Sequence, residues 1–285
     1  MKRALILGGG GVIGVAWETG LTTGLLQGGI DLRDADLVVG TSAGSLVGTR
    51  LAAGHDLSQP VKQSPAAVPI PEGGIDLPKV TEIFRLWSQA SRMDETLCAR
   101  IGQLASEART VDQAAWIANT GRSVGVDDWP EKGMRITAVD VHSGGFEVHC
   151  RESGAPLHHA IAASCAVPGM FPPITLDGRD YMDGGVRSAT SADVALDHEP
   201  DVAIVIAPIC AATASFGALA ERCLDDEVAQ LRAAGTRVCC ILPDGTDLEA
   251  FGPNLMDAGQ AVAAQRAGHA RGLALAQDEA GLWLD

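Results

Sequence analysis

The sequence predicts an α/β protein with a mainly parallel central sheet. Two segments carry this prediction, because in each a short apolar run is followed by a glycine-containing turn and then by a helix-like stretch. In the first, residues 4–7 precede a run of glycines and a predicted helix over residues 15–27. In the second, the β-branched run at residues 37–39 precedes a Gly-x-Ser-x-Gly pentapeptide at residues 40–44 and another predicted helix. Strands that alternate with helices in this way are typical of parallel sheets.

The rest of the chain extends this pattern. Residues 56–78 are rich in Pro, Gly, Ser and Gln, which predicts an exposed loop. Helices are predicted over residues 79–90, 95–107, 111–120, 157–163, 216–234 and 256–277. Strands are predicted over residues 134–140, 146–150, 174–176, 179–182, 202–207 and 237–242. The helices between about residues 55 and 132 are interpreted as an insertion or lid within a single domain spanning residues 1–285, because no repeat or linker divides the chain.

Charge excludes several function classes. The 285 residues include 21 Lys and Arg against 36 Asp and Glu, a formal net charge of −15. No basic run is present, so a nucleic-acid partner is not expected, and charge attraction would not bring the protein to a membrane surface. The apolar run at residues 4–7 is too short for a signal peptide, and no segment approaches the ~20 apolar residues of a membrane span.

The cysteines predict reduced thiols. They form an odd, scattered set without metal-like spacing: Cys98, Cys150, Cys165, Cys210, Cys223, Cys239 and Cys240. Such a set argues against a disulfide framework. We therefore expect a cytoplasmic protein.

The first glycine-rich turn has two interpretations. Gly9, Gly11 and Gly14 satisfy Gly-x-Gly-x-x-Gly between a strand and a helix, a pattern typical of dinucleotide sites. Such a site needs an acidic residue at the end of the second strand. The acidic candidates instead precede that strand: Asp31, Asp34 and Asp36. The backbone amides of a glycine-rich turn also form an anion-binding concavity, and a neighbouring parallel strand would place this concavity beside the second turn.

Ser42 is the candidate nucleophile. A serine on a strand–turn–helix bend exposes its hydroxyl, and the helix that follows points free amides at negative charge beside it. Gly40 and Gly44 let the backbone pass closely. The alternative is a simple turn followed by a helix N-cap, a position that serine also favours. The pentapeptide alone leaves both interpretations open.

Asp183 is the candidate base for Ser42. None of the histidines follows a strand in a recognisable turn, and each is interpreted as solvated or structural: His55, His142, His149, His158, His159, His198 and His269. Only one predicted strand precedes the strand of Ser42, which also disfavours the α/β-hydrolase fold and its Ser-His-Asp triad. Asp183 ends a predicted strand, although an ordinary Asp-Gly turn is the alternative. Without a histidine base, we expect no essential group to titrate near the histidine reference of ~6.5.

Three motifs in this order resemble the patatin-like phospholipases: the glycine-rich turn, Gly-x-Ser-x-Gly and Asp-Gly-Gly. Residues 163–173 also match the Ser-x-x-x-Pro block of that family. The resemblance covers about residues 5–53 and 159–186 and implies a three-layer α/β sandwich. It implies Ser42 as nucleophile, Asp183 as general base, the amides of Gly9, Gly10 and Gly11 as oxyanion donors, and Gly14, Gly40, Gly44, Gly184 and Gly185 as motif glycines.

The chain departs from the family pattern at two places. Many members carry Arg just before the last glycine of the first turn, where this chain has Ile13. An Asn often follows Asp-Gly-Gly, where this chain has Ser188, Thr190 and Ser191. The first departure removes a cation near the oxyanion site, which bears on the binding of anionic phosphate head groups. Neither departure changes Ser42 or Asp183.

Together these motifs predict a serine acyl-ester hydrolase that acts on lipid esters through a Ser-Asp dyad. No metal or organic cofactor is implied. The expected partner is a lipid or ester substrate, with transient contact at a membrane surface. Two alternatives stay open, namely a dinucleotide-binding protein that uses the turn from Gly9 to Gly14 and an inactive patatin-like binding module.

Overall fold

Eight strands form one central sheet in the part of the chain that the structure describes. The structure, a computed structural model, describes residues 1–58, 71–72, 74–210 and 217–284. The strands are β1 (Arg3–Leu7), β2 (Leu37–Gly40), β3 (Gly133–Asp140), β4 (Phe146–His149), β5 (Ile174–Leu176), β6 (Arg179–Asp183), β7 (Val202–Ile206) and β8 (Arg237–Ile241). Their order in the sheet is β5-β6-β3-β2-β1-β7-β8, and β4 pairs with β3.

The centre of the sheet is parallel. Strands β3, β2, β1, β7 and β8 run parallel to one another, whereas β4, β5 and β6 are antiparallel to their neighbours. Every residue of β2 and β7 is buried, as are residues 4–7 of β1. A parallel sheet covered on both faces explains why these strands are continuous apolar runs without alternation. The predicted mainly parallel α/β sheet is confirmed.

Helices cover both faces of this sheet. They are α1 (Gly11–Gln27), α2 (Ala43–Ala52), α3 (Leu77–Gln89), α4 (Glu95–Glu107), α5 (Gln113–Val124), α6 (Leu157–Ser164), α7 (Gly217–Ala233), α8 (Gly245–Phe251) and α9 (Ala261–Leu284). Leu5 and Leu7 of β1 pack in one apolar cluster with α1, α2 and α9, whereas Ala4 and Ile6 pack in another with α7. The result is the expected three-layer sandwich. None of these helices is both long and apolar enough to cross a membrane, as far as the described residues extend.

Helices α1 and α9 pack with their backbones in close contact. A Cβ atom built on Gly20 would lie 2.0 Å from the carbonyl oxygen of Gln265, and one on Gly24 would lie 2.2 Å from that of His269. From the other side, a Cβ atom on Gly268 would lie 2.3 Å from the carbonyl oxygen of Trp17. Glycine at these positions therefore allows two helices, rather than a helix and a strand, to approach closely.

Three helices occupy the predicted insertion between α2 and β3. Each begins at an aspartate whose carboxylate accepts a hydrogen bond from a backbone amide of the first turn: Asp76 for α3, Asp94 for α4 and Asp112 for α5. Helices α3 and α4 pack through Ile83 and Ile101 in a cluster with the end of β3. Most of the predicted loop over 56–78 lies outside the described residues.

The C-terminal region differs from the prediction. Helix α8 was not predicted, and α9 begins at Ala261 and continues to Leu284 rather than covering residues 256–277. Asp244 caps α8 through hydrogen bonds from the amides of Thr246 and Asp247. Gly252 ends this helix with a φ of 66°. A seven-residue helix with a local cap has too few apolar positions to show a periodic pattern in the sequence.

Candidate active site

The register of the sheet brings the three predicted site segments together. In the parallel arrangement of β1, β2 and β3, residues Gly9, Ser42 and Ala138 reach the same height at the carboxyl edge. Strand β6 is antiparallel to β3 and pairs Asp183 with Ala138. A Cβ atom built on Gly9 would lie 3.4 Å from the Cβ atom of Ser42. The glycine-rich turn, the serine bend and the aspartate therefore meet at one edge of the sheet.

Ser42 lies on a strained bend between β2 and α2. Its φ of 53° and ψ of −117° are rare for a residue with a side chain. The bend also requires its flanking glycines. A Cβ atom on Gly44 would lie 2.0 Å from the carbonyl oxygen of Leu7, and one on Gly40 would lie 2.7 Å from that of Gly44. Backbone strain of this kind clusters at functional sites, so the conformation favours a nucleophile over a plain helix cap.

Three side chains hold this bend from behind. Ser164 Oγ accepts a hydrogen bond from the backbone amide of Ser42 at 2.9 Å. The carbonyl oxygen of Ser42 accepts hydrogen bonds from Ser45 Oγ at 2.7 Å and from Cys165 Sγ at 3.2 Å. Burial raises the pKa of Cys165 to about 12, so its thiol keeps the proton that it donates. Ser164 and Cys165 belong to the Ser-x-x-x-Pro block, which here fixes the backbone of Ser42.

Asp183 is a buried carboxyl at the end of β6. Only 3% of the residue is exposed, and its Oδ1 accepts a hydrogen bond from the Gly185 amide at 2.7 Å. Burial raises the pKa of Asp183 to about 7, and hydrogen bonds from the Gly185 amide and the Ser42 hydroxyl partly oppose that rise. A carboxyl with a pKa near neutrality exchanges its proton readily at neutral pH, as a general base must.

Packing explains why position 184, directly after Asp183, is a glycine. The hydroxyls of Thr41 and Thr137 form a buried hydrogen bond of 2.7 Å between the ends of β2 and β3. A Cβ atom on Gly184 would lie 2.2 Å from Thr137 Oγ1. Any larger residue at position 184 would therefore push the chain after Asp183 away from this threonine pair.

The glycine-rich turn has fewer free amides than predicted. The Gly9 N–H donates a hydrogen bond to the carbonyl oxygen of Ala189 at 2.8 Å. No described residue accepts a hydrogen bond from the amides of Gly10 and Gly11, and both residues line the cavity beside Ser42. The prediction for Gly9 is therefore corrected, because its amide anchors the turn. Gly10 and Gly11 remain the candidate oxyanion donors.

Ser42 and Asp183 line the same cavity, which has a volume of about 300 Å³. Most of its walls are apolar, and they come from α3, from α7 and from three connecting segments. The apolar side chains are Phe84, Trp87, Val167, Met170, Ile209, Leu219, Ala220, Pro253, Leu255 and Met256. An apolar concavity with a few converging polar groups is typical of a small-molecule site.

Comparison with known proteins assigns the chain to a family. A family profile described as patatin-like phospholipase matches residues 5–196, which is more than half of the chain and includes Ser42 and Asp183. The chain belongs to the patatin-like phospholipase family. That family consists of lipid hydrolases. Among solved structures, the crystal structure of VipD from Legionella pneumophila matches with a TM-score of 0.51 at 12% identity, covering 97% of this chain and 67% of that chain. At such low identity this likeness shows the fold alone.

The patatin-like cavity contains no imidazole. All seven histidines are among the described residues, and none of them lines it. His158 instead hydrogen bonds through Nε2 to the carbonyl oxygen of Val126 at 2.7 Å. His149 is buried with its ring edge-on to Tyr181, and burial lowers its pKa. These two histidines have structural surroundings, in line with their interpretation from the sequence.

The structure also shows which residue stands at the position of the family's arginine and which cation lines the cavity. Ile13, at the position of the family's arginine, is fully buried in the core. Arg187 lines the cavity, and its guanidinium donates to both carboxylate oxygens of Asp193 while lying 4.2 Å from the Phe146 ring centroid. Sequence reasoning missed Arg187, whose only signal was its position shortly after Asp-Gly-Gly.

The apolar residues of helices α3 and α4 divide between the cavity and the core. Phe84 and Trp87 line the cavity, whereas Ile83 and Ile101 are fully buried in the core. The walls contributed by α7 and residues 253–256 lie in segments without a motif, so the sequence did not indicate them. In the described ranges, no group of three or more His, Cys, Asp or Glu side chains could hold a metal ion.

Proposed function

We propose that this protein is a serine acyl-ester hydrolase that cleaves lipid esters, with Ser42 as nucleophile and Asp183 as general base. One observation carries the proposal. A serine on a strained bend and a buried carboxyl with a pKa of about 7 share an apolar cavity with the amides of Gly10 and Gly11. A nucleophile, a base and anion-stabilising donors around one cavity are the requirements of acyl transfer.

In the proposed reaction, Asp183 accepts the proton of Ser42 Oγ as that oxygen attacks the ester carbonyl carbon. The amides of Gly10 and Gly11 donate hydrogen bonds to the oxyanion that forms, and loss of one such donor typically costs ~3–4 kcal/mol. Collapse of the intermediate releases the alcohol, which takes the proton from Asp183 and leaves an acyl-serine. Water then attacks the acyl-serine and gives a proton to Asp183. Collapse of this second intermediate breaks the bond to Ser42 Oγ, which takes that proton from Asp183, and the acid departs.

The apolar walls support lipid esters as the substrate class. Phe84 and Trp87 of α3 and Leu219 of α7 offer contacts to a hydrocarbon chain. Family membership supports this class as well, since the matched family consists of lipid hydrolases.

A labelling experiment distinguishes the proposed hydrolase from both alternatives. The glycine-rich turn falls within the family match, so the proposal uses it for the oxyanion rather than for a dinucleotide. An inactive patatin-like module would have the same fold without a reactive serine. A fluorophosphonate ester reports on this directly, because it forms a covalent bond only with an activated serine.

We expect the protein to bind one fluorophosphonate at Ser42 and to hydrolyse short nitrophenyl esters. Ser42→Ala should abolish both reactions and leave the thermal midpoint nearly unchanged. Ser123→Ala, in α5, is the matched control and should keep both, because its hydroxyl only donates to the carbonyl oxygen of Asn119. Peptide mapping and spectrophotometric assays give the readouts. An unlabelled wild-type protein would support the inactive module, and turnover by Ser42→Ala would overturn the assignment.

A further inference from the structure

The carbonyl group of Ala189 is one of the contacts that hold the glycine-rich turn in place. The Gly9 amide donates to its oxygen, and a Cβ atom on Gly8 would lie 3.0 Å from the same oxygen. Ala189 also lines the cavity. The turn is held as well by the Gly8 amide, which donates to the carbonyl oxygen of Ile206. Because the Ala189 carbonyl bonds to the residue directly before Gly10, its position bears on where Gly10 and Gly11 lie relative to Ser42.

The segment that carries Ala189 needs side-chain partners. Residues 188–191 are buried between two short 3-10 helices, Gly184–Val186 and Ala192–His198, and form no strand pairing. Ser191 has a φ of 51° and a ψ of 43°, a left-handed conformation that is uncommon for serine. Buried backbone amides outside helices and strands must find other acceptors. Ser188 Oγ serves two of them, the amides of Thr190 and Ser191.

Glu227 of α7 supplies the remaining acceptor. Its Oε2 accepts a hydrogen bond of 2.7 Å from Thr190 Oγ1 and another of 2.7 Å from the Ala192 amide. The residue is 5% exposed, and burial raises its pKa while hydrogen bonds from Ser188, Thr190 and Ala192 oppose that rise. Burying a carboxyl costs desolvation free energy, and an apolar side chain would fill the same space without that cost. The two short bonds of Glu227 instead fix one conformation of residues 190–192.

We propose that Glu227 is a positioning residue for the oxyanion site. By holding Thr190 and Ala192 it fixes the carbonyl group of Ala189, which holds Gly9 and thereby the amides of Gly10 and Gly11. Glu227 lies outside the residues matched by the family profile, which end at 196. The inference rests on the proposed hydrolase function, because it concerns stabilisation of the oxyanion of that reaction.

The test is Glu227→Met, which keeps a side chain of similar length and removes both acceptor oxygens, so that neither Thr190 Oγ1 nor the Ala192 amide keeps its partner. We expect kcat on a short nitrophenyl ester to fall about tenfold to a hundredfold, the effect of a displacement of about 1 Å in a site, with KM nearly unchanged. Affinity for a trifluoromethyl ketone should fall by a similar factor. In that adduct Ser42 Oγ bonds to the ketone carbon, its proton passes to Asp183, and the ketone oxygen becomes the oxyanion. General loss of folded protein would also lower the apparent kcat, but it would leave the affinity of the remaining folded enzyme for the ketone unchanged.

Glu221→Met is the control, because it makes the same change at an exposed position of the same helix and should leave kcat and inhibitor affinity unchanged. Thr190→Val removes the hydroxyl that donates to Glu227, keeps the shape of the side chain and should act like Glu227→Met. It carries the test if Glu227→Met does not fold. An active wild-type protein with unchanged kcat in the folded variants overturns the inference alone. A wild-type protein without esterase activity overturns both the inference and the proposed function.

Discussion

The carboxyl of Asp183 sets the pH dependence expected of the reaction. In the proposed mechanism the base form is the carboxylate, and burial raises the pKa of this group to about 7. Activity should therefore be low in acid, rise as Asp183 loses its proton and level off above the pKa. This expectation replaces the one that no essential group titrates near the histidine reference of ~6.5, because in the proposed mechanism the buried aspartate titrates in the same range. A pH profile alone cannot separate the two kinds of base.

The variant Asp183→Asn distinguishes an aspartate base from a histidine base. The amide keeps the shape of the side chain and cannot accept the proton, so kcat should fall by ~10²–10⁴ and the rise near neutral pH should disappear. Rates of ester hydrolysis measured across pH give the readout. As controls, each of the seven histidines replaced by Gln should keep kcat within about tenfold, or ~1.4 kcal/mol of barrier. A single His→Gln variant as inactive as Ser42→Ala would establish a triad instead.

A second buried carboxyl, Glu18 of α1, lies outside the proposed mechanism. It is fully buried, and neither of its carboxyl oxygens has a hydrogen-bond partner in the described part of the chain. Burial raises the pKa of Glu18 well above its ordinary value. The folded chain therefore holds this proton over a pH range in which the unfolded chain has lost it. Between the unfolded and the folded pKa, Glu18 makes the protein less stable as the pH rises.

Glu18→Gln removes this titration and keeps the shape of the side chain. Its free energy of unfolding relative to wild type should increase with pH by up to ~1.4 kcal/mol per pH unit above the unfolded pKa of ~4.3. Urea denaturation at several pH values between acid and neutral measures this difference. Glu249→Gln, at an exposed position of α8, is the matched control for the substitution and is measured in the same series. An advantage of Glu18→Gln that stays flat would mean that Glu18 is ionised in the folded chain.

Local sequence was sufficient to find the candidate site residues and insufficient to find the residues that position them. Ser42 lies in the turn after β2, and Asp183 is the last residue of β6, so each is marked by the glycines of the turn beside it. The hydrogen bond from the Ser42 amide to Ser164 joins residues that are 122 positions apart in the sequence. The one from the Gly9 amide to Ala189 also joins distant parts of the chain. Such contacts depend on strand order, which local patterns do not encode.

At the scale of elements, the contact between α1 and α9 depends on glycine. Helix α1 is buried on several sides, so its sequence lacks the amphipathic pattern that is typical of a surface helix. Gly20 and Gly24 on α1 face Gly268 and Gly272 on α9, and each leaves room for the opposing backbone. The sequence did not indicate that α9 is the partner of α1, because the two helices lie more than 200 residues apart in the chain.

Gly24→Ala tests this contact. The added methyl group would lie 2.2 Å from the carbonyl oxygen of His269, which cannot rotate away as a side chain would. Overpacking of this kind costs ~1–3 kcal/mol and should exceed the ~1 kcal/mol gained from the better helix propensity of alanine. Thermal unfolding should therefore show a lower midpoint. Gly245→Ala at the start of α8 meets no atom within 4 Å and should be neutral or slightly stabilising. Equal midpoints for both variants would contradict the close contact.

At the scale of the whole molecule, the acidic net charge and the apolar cavity have opposite effects on the approach to anionic lipid. A lipid hydrolase reaches substrate at an interface, and the chain carries a formal net charge of −15. Long-range electrostatics therefore oppose approach to anionic lipid, whereas apolar contact at the cavity favours it. The two effects differ in their response to salt, because screening weakens only the first.

Salt should accordingly speed hydrolysis on anionic vesicles. Between about 10 mM and about 150 mM salt the Debye length falls from about 30 Å to about 8 Å, so repulsion between the acidic protein and the vesicle is largely screened. The initial rate on vesicles of an anionic ester lipid should therefore rise over this range. Zwitterionic vesicles with the same acyl chains should show a smaller change, and a soluble nitrophenyl ester, which needs no interface, should show none. A rate on anionic vesicles that falls with salt would mean that a local basic surface, and not the net charge, governs approach to the membrane.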